Sequence, residues 1–340
     1  VVLEPSDGPK YDREPILPFE GNVNPLPNSS FECGSGGWGG YSVISGGWAA
    51  NLFFLPGGWD RSEAYHGQAA WRLTLDPNDR PTAYFDYFDP QVAPLKNPMV
   101  APVGWIPVEK GAQYAVSAYV KADAEDLPVG IVVRYGNGRT SSRSFRVGKE
   151  WRRIEAAFEA QDGYAFPAVG FAFSDEPSAR ATLWIDAVQW ERGDRAGPYR
   201  PRSAVEACLS TEQVGNIFAA PADGLSFQLR AANPTDAPGV LRGVLSITDF
   251  RDREVYREDV HVALPSRESS CLRWTHILPG RKGFYRIHWQ PEADASQSLR
   301  AAVVAATRLP RPRSHRARPT SSWPSSRGIP YARQSAAALR

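Results

Sequence analysis

Residues 112–122, AQYAVSAYVKA, alternate cleanly between two faces of an extended chain. Tyr114, Val116, Ala118 and Val120 fall on one face, and Ala115, Ser117, Tyr119 and Lys121 on the other. Further short apolar runs occur at 68–75 (QAAWRLTL), 82–88 (TAYFDYF), 128–138 (PVGIVVRYGNG), 150–160 (EWRRIEAAFEA), 168–174 (AVGFAFS) and 181–191 (ATLWIDAVQWE). Turn residues bound each run, and none is long and periodic enough for a helix. Residues 25–192 are therefore expected to hold at least eight strands, a β-sandwich of jelly-roll size.

The connector GDRAGPYRPRS (193–203) leads to a second series of strand patterns at 225–233, 239–249, 254–264, 269–278 and 283–290. Their even, turn-punctuated spacing predicts an immunoglobulin-like sandwich. The expected fold is all-β: a linker over 1–21, a jelly roll over 22–200, an immunoglobulin-like sandwich over 204–298 and a disordered tail over 299–340.

Composition supports strands over helices, with 29 Gly and 30 Pro in 340 residues. The 11 Trp exceed what cores of this size need. They fit either a binding surface or large sandwich cores. The net charge of +2 hides an asymmetry: residues 299–340 carry nine Arg and no Asp, Glu or Lys, which leaves the first 298 residues at −7. Arg, Pro, Ser and Ala dominate this tail, with no apolar periodicity, so it is expected to be disordered rather than to bind nucleic acid. With 33 Arg to 6 Lys in the chain, its text is also what a frame shift near 300–308 in a GC-rich gene would produce. Resequencing that finds one intact frame through 340 excludes that origin. No run of about 18 apolar residues predicts a membrane span. The sequence starts at Val1 and its only methionine is Met99, so the native start is expected to have been cleaved or not captured, and no signal peptide is visible. Cys33, Cys208 and Cys271 fit neither a disulfide framework nor a zinc site; at most one disulfide is expected, and Cys208–Cys271 is the favoured pair because both fall in the second sandwich.

Candidate catalysis centres on Asp186 and Glu191. Five positions apart on a straight strand, they point to opposite faces, whereas glycoside hydrolysis needs two carboxyl groups facing one sugar about 5–10 Å apart. Nucleophile and phosphate-binding motifs are absent. His66, His261, His276, His288 and His315 lack the spacing of a helical zinc site. No catalytic constellation is visible, and whether the chain is an enzyme stays open. A structural cation is a different matter. Glu32 and Asp186 lie near the first and last strands, which neighbour each other in a jelly roll, and Ca²⁺ takes carboxylate and carbonyl oxygens. The alternative is two unrelated edge acids.

The segments NPLPNSSFE (24–32), YHGQAAWRL (65–73), VEKGAQYAVSAYVKA (108–122), EWRRIEAAFEA (150–160) and LWIDAVQWERG (183–193) together resemble the CenC-type carbohydrate-binding modules of families four, nine and twenty-two, over about residues 22–200. The resemblance implies a calcium ion held partly by Glu32 and Asp186, with backbone carbonyls around Asn28 and Gly67 contributing. The usual second acid after the Ile-Asp pair is Ala187 here. The second sandwich looks like the domain that follows such modules in large bacterial glycoside hydrolases. The resemblance thus implies a secreted or cell-surface bacterial protein that targets a catalytic domain of the same parent chain to a polysaccharide. A module that only packs against a catalytic barrel is the alternative. A sugar ring stacks its C–H face on an aromatic plane while polar groups take its hydroxyls. Trp38, Trp48 and Trp59, expected in Gly-rich loops, are candidates, with Tyr84, Tyr119 and Arg134 on strands; Trp71, Trp151, Trp184 and Trp190 read as core.

Overall fold

The computed structural model describes residues 24–44, 48–52, 57–77, 82–84, 92–94, 97–175, 177–211, 216–219, 225–276, 283–292 and 297–304. Among the described residues there is no α-helix; the fold is all-β. The first group of strands is β1 (Trp38–Ile44), β2 (Trp48–Leu52), β3 (Gly57–Asp60), β4 (Ala70–Leu75), β5 (Thr82–Tyr84), β6 (Val92–Pro94), β7 (Met99–Pro102), β8 (Ile106–Pro107), β9 (Gln113–Ala122), β10 (Leu127–Tyr135), β11 (Thr140–Val147), β12 (Arg152–Glu159), β13 (Tyr164–Phe171) and β14 (Ala181–Arg192). The second is β15 (Glu206–Ser210), β16 (Ile217–Ala219), β17 (Leu225–Ala232), β18 (Gly239–Asp249), β19 (Glu254–Leu264), β20 (Ser269–His276), β21 (Gly283–Pro291) and β22 (Gln297–Val304).

A seven-stranded sheet, ordered β11-β10-β13-β7-β1-β2 with β8 on β13, faces a five-stranded one, β12-β9-β14-β4-β3. Tyr114, Val116, Ala118 and Val120 point into the core between them, opposite Val129, Ile131 and Val133 of β10. Period-two alternation puts every second side chain of these strands out of water, as the pattern of 112–122 requires. The second sandwich pairs β15-β17-β20 with β16-β22-β21-β18-β19 around Leu229, Leu245, Ile287 and Trp289.

Four expectations change. First, β14 is not straight. Its register on β9 shifts between Asp186 and Gln189, and Ala187 adopts φ +50°. The extra residue is a β-bulge, which flips parity. Leu183, Ile185, Val188 and Trp190 enter the core, while Asp186, Gln189 and Glu191 pair with Tyr119, Ser117 and Ala115 on the outer face. Asp186 and Glu191 thus share a face. They do not act as a dyad: Glu191 accepts the Gly197 N–H (2.6 Å) and holds the connector, whereas Asp186 holds another loop. Second, Trp48 and Trp59 lie in β2 and β3, and Trp38 opens β1, rather than lying in loops. Trp38 is buried edge-on to Phe31, with its indole N–H on the Pro27 carbonyl (2.8 Å). Trp184 moves the other way: it is outward-facing and donates to Asp60 (2.9 Å). Third, residues 299–304, expected in the tail, belong to β22, which pairs with β21 and β16; residues 305–340 lie outside the described residues. Fourth, Cys208 and Cys271 both lie opposite Arg230, on the strands either side of it. Two strand spacings, roughly 9–10 Å, are too far for a disulfide.

Candidate functional site

Three aromatic sites and one pair of carboxylates emerge. The carboxylates shape a loop. Residues 24–37 form turns beside β14 instead of a strand: Asn24 accepts the Trp190 N–H (3.2 Å) and Ser29 O accepts the Val188 N–H (2.9 Å). Asn28 and Phe31 take left-handed backbone conformations, φ +49° and +60°. A bulky residue adopts that region only when packing over-determines it; Phe31 is wedged between Trp38 and Trp71 at 5.0 and 5.7 Å. The reversal presents Glu32 to the segment 65–69. Glu32 Oε1 accepts the Gln68 and Ala69 N–H groups at 2.9 and 3.0 Å. Asp186 Oδ2 accepts those of Tyr65 and His66 at 2.7 and 2.8 Å, and its Oδ1 accepts the Ala187 N–H at 2.6 Å.

Asp186 is wholly buried. Burial pushes its carboxyl well above the usual carboxylate range, and the neighbouring Glu32 charge adds to this. Burial raises Glu32 as well, against its two backbone hydrogen bonds and the Arg61 charge. Two acids that repel each other across one loop, with only neutral N–H groups on Asp186, form a donor set suited to a hard oxygen-seeking cation such as Ca²⁺. Gly67 lies against Glu32: a Cβ there would sit 2.4 Å from Glu32 Cδ, and its φ is +72°. Asn28 has another job. Its side-chain oxygen accepts the Cys33 N–H (2.8 Å) and its amide donates to Gly34 and Gly36 carbonyls (2.8 and 3.1 Å). Among the described residues no three His, Cys, Asp or Glu side chains cluster as metal ligands, so carbonyls must complete any coordination. Gly67→Ala combines backbone strain with steric overlap and is expected to lower stability by about 2 kcal/mol, read as a lower urea midpoint at unchanged slope.

The first aromatic site lies on the outer face of the seven-stranded sheet. Rows of paired residues cross it: Arg134 opposite Phe166, Val132 opposite Ala168, and Gly130 opposite Gly170 opposite Met99 opposite Tyr41. Phe166 takes Tyr41 edge-on at 5.4 Å and Trp105 edge-on at 4.9 Å. Tyr41 and Phe166 are buried and Trp105 is half-buried. Two polar atoms here are buried with no hydrogen-bond partner among the described residues, Tyr41 Oη and Arg134 Nε. Burial pushes the Tyr41 phenol up to about 12, against the Arg134 charge. Gly130 and Gly170 keep the middle of the face low; a Cβ on Gly170 would meet Pro98 O at 2.4 Å.

The second site is on the opposite sheet, where Tyr65, 46% exposed, stacks on Tyr119 at 3.4 Å with Trp151 at 6.1 Å. The third is a cleft of about 130 Å³ between the sandwiches, lined by Glu32, Trp59, Arg61, Gln68, Arg230 and Ser270. Trp59 donates to the Phe31 carbonyl (2.8 Å), with the Arg61 and Arg230 guanidinium carbons 5.9 and 5.6 Å from its ring. A further cleft, about 610 Å³, lies along Phe145, Arg146, Phe173 and Arg180 and includes none of the residues expected to bind.

The structure thus brings Glu32, Asp186 and Gly67 together and separates the expected sugar contacts. Arg134, Tyr119 and Trp59 fall at three different sites, while the side chains of Trp48 (β2) and Tyr84 (β5) lie outside the described residues. Tyr41, Trp105, Phe166 and Tyr65 were not expected. Phe166 was hidden by Pro167, which reads as a strand breaker yet lies mid-strand opposite Val133.

No protein-family model matches the chain, and no curated protein matches it. Among solved structures, a family 16 carbohydrate-binding module is 16% identical, with 48% of this chain and 97% of that one covered and a TM-score of 0.31. TmCBM61 in complex with β-1,4-galactotriose is 15% identical, with 50% and 99% covered and a TM-score of 0.34. The N-terminal cellulose-binding domain of Cellulomonas fimi β-1,4-glucanase C is 18% identical, with 50% and 98% covered and a TM-score of 0.31. Likenesses this remote do not identify a ligand for this chain.

Proposed function

We propose that the chain is a non-catalytic carbohydrate-binding module that holds a glycan on the outer face of the seven-stranded sheet. The observation that carries this reading is a pair of buried polar atoms without a partner among the described residues, beside an aromatic cluster: Tyr41 Oη and Arg134 Nε next to Phe166 and Trp105. A buried donor left unsatisfied costs about 1–3 kcal/mol, so such groups persist where a ligand or water completes them. A sugar supplies what is missing: hydroxyls for the phenol and guanidinium, and an apolar ring face for the indole. The second sandwich is an immunoglobulin-like spacer in this reading. Supporting it, three strands face five, with β16 running parallel to β22. Calcium at Glu32 and Asp186 would hold the 65–69 loop and serve stability. Through this module an appended glycoside hydrolase domain outside the cell would be delivered to a polysaccharide.

A specific observation favours a second reading, a structural module that packs against a catalytic domain: Met99, Ala101, Val132 and Ala168 on the same face are apolar and buried. Affinity electrophoresis against plant, algal and microbial polysaccharides separates the two. Retardation on at least one glycan is expected; no retardation on any overturns the binding reading. Tyr41→Phe removes the unpartnered hydroxyl. It is expected to leave the free protein as stable or up to about 1 kcal/mol more stable while weakening retention several-fold.

A further inference from the structure

The outer face of the sheet β15-β17-β20 is not free. Residues 28–37 of the first sandwich lie against it, with Glu206 accepting the Asn28 N–H (2.9 Å) and the Arg230 stem 3.7 Å from where a Cβ on Gly34 would be. At the centre of this junction Cys33, Cys208 and Ala232, each 2% exposed, form a small cluster distinct from both cores. The Cys33 thiol donates to the Glu206 carbonyl (3.3 Å) and the Cys208 thiol to the Gly36 carbonyl (3.4 Å). The approach is close enough that only glycine fits at 36, where a Cβ would stand 2.3 Å from Cys208 Cβ. The two residues, 175 positions apart in sequence, meet in this one cluster, and the neighbouring Cys208 thiol together with burial holds the Cys33 thiol well above its ordinary range.

We propose that Cys33 and Cys208 are a cross-linking site, joined in the mature protein by a disulfide that ties the turn of the first sandwich to the first strand of the second. The proposal is independent of the glycan reading. Cys271 is the odd thiol: its Sγ donates to Gln228 Oε1 (3.3 Å), one strand beyond Arg230. With glutathione disulfide as oxidant, the two thiols lose two protons and two electrons and form one S–S bond. The glutathione S–S bond breaks and takes them up as two molecules of reduced glutathione. Attack requires a thiolate, and burial suppresses it in the closed junction. Oxidation therefore proceeds in the folding chain before residues 28–37 dock, or through transient opening. Once formed, the bond is shielded by the same burial, and it restricts the unfolded chain over a long loop.

The test uses the full chain refolded in a glutathione redox buffer and digested without reductant. Mass spectrometry is expected to find the Cys33 peptide linked to the Cys208 peptide. One thiol per denatured chain should then react with Ellman's reagent, against three after reduction. Reduction is expected to lower the melting temperature by about 5–10 °C. Cys33→Ser and Cys208→Ser should each abolish that sensitivity, and Cys271→Ser should keep it. Three reactive thiols in the refolded chain, or a link involving Cys271, would overturn the proposal. Because mapping is done on the unmutated chain, a serine variant that fails to fold does not shield it.

Discussion

Asp186→Ala is expected to cost about 3–5 kcal/mol of stability. Three backbone N–H groups, those of Tyr65, His66 and Ala187, converge on this one buried carboxylate. Alanine leaves all three without an acceptor. The charge itself opposes folding, since burial raises its carboxyl and Glu32 repels it, so removing it returns part of the loss. The hydrogen bonds outweigh that return: the Asp186 carboxylate is fully enclosed, and only Tyr65 among the donors' residues is exposed enough for water to substitute. Asp186→Asn keeps one acceptor oxygen and should lose roughly half as much. Both variants should also lose any rise in melting temperature that calcium gives the unmutated chain over chelator.

The pH dependence carries a sign. Asp186 and Glu32 have folded-state values raised above the ordinary 3.8 and 4.5. Without a cation, the folded chain holds their protons more tightly than the unfolded chain. The contribution is therefore fully present below the unfolded values and is lost as pH rises through the folded ones. Calcium needs both carboxylates ionised and reverses the trend, adding stability at neutral pH that acid removes. Melting curves between pH 4 and 8, with chelator and with calcium, should diverge as pH rises. Parallel curves would remove calcium from the account.

The second large effect concerns binding. Trp105→Ala is expected to weaken glycan affinity about ten- to a hundred-fold. Trp105 is the half-buried aromatic of the face, set edge-on to Phe166 at 4.9 Å, so it is placed to give a sugar a plane while Tyr41 and Arg134 stay beneath. The stability cost should be small, because the ring is only partly packed against the face. Phe166→Ala would be a poorer probe, since it removes a buried ring that also contacts Tyr41.

Much of the fold was legible because the strands obey simple alternation. Residues 112–122 put Tyr114, Val116, Ala118 and Val120 into the core as their period demands. Four of the five expected strands of the second sandwich recur within about a residue or two, and the fifth, 269–278, is described through His276. What was lost turns on local exceptions. In LWIDAVQW the core positions switch from odd (Leu183, Ile185) to even (Val188, Trp190), which is the signature of one inserted residue; a straight strand was expected instead. Strand β22 was hidden because QSLRAAVV merges into an Arg- and Ala-rich tail. Glu32 and Asp186 could be named because the first and last strands of a jelly roll can lie side by side, and Gly67 from the resemblance; Glu32 lies against Gly67, and Asp186 accepts the N–H groups of Tyr65 and His66. Sugar contacts depend on which sheet face each aromatic joins and on which turns cover it. That is why Tyr119, Trp59 and Arg134 scatter over three sites and Tyr41 went unnoticed.

The most direct test is isothermal titration of one oligosaccharide, taken from the polysaccharide that retards the protein most, into three chains: unmutated, Trp105→Ala and Tyr65→Ala. Tyr65→Ala removes the exposed ring on the opposite sheet and keeps the N–H that Asp186 accepts. Unchanged affinity in Tyr65→Ala with at least a tenfold loss in Trp105→Ala, about 1.4 kcal/mol, is the predicted result. Full affinity in Trp105→Ala, with or without a loss in Tyr65→Ala, would contradict a glycan site on the seven-stranded sheet.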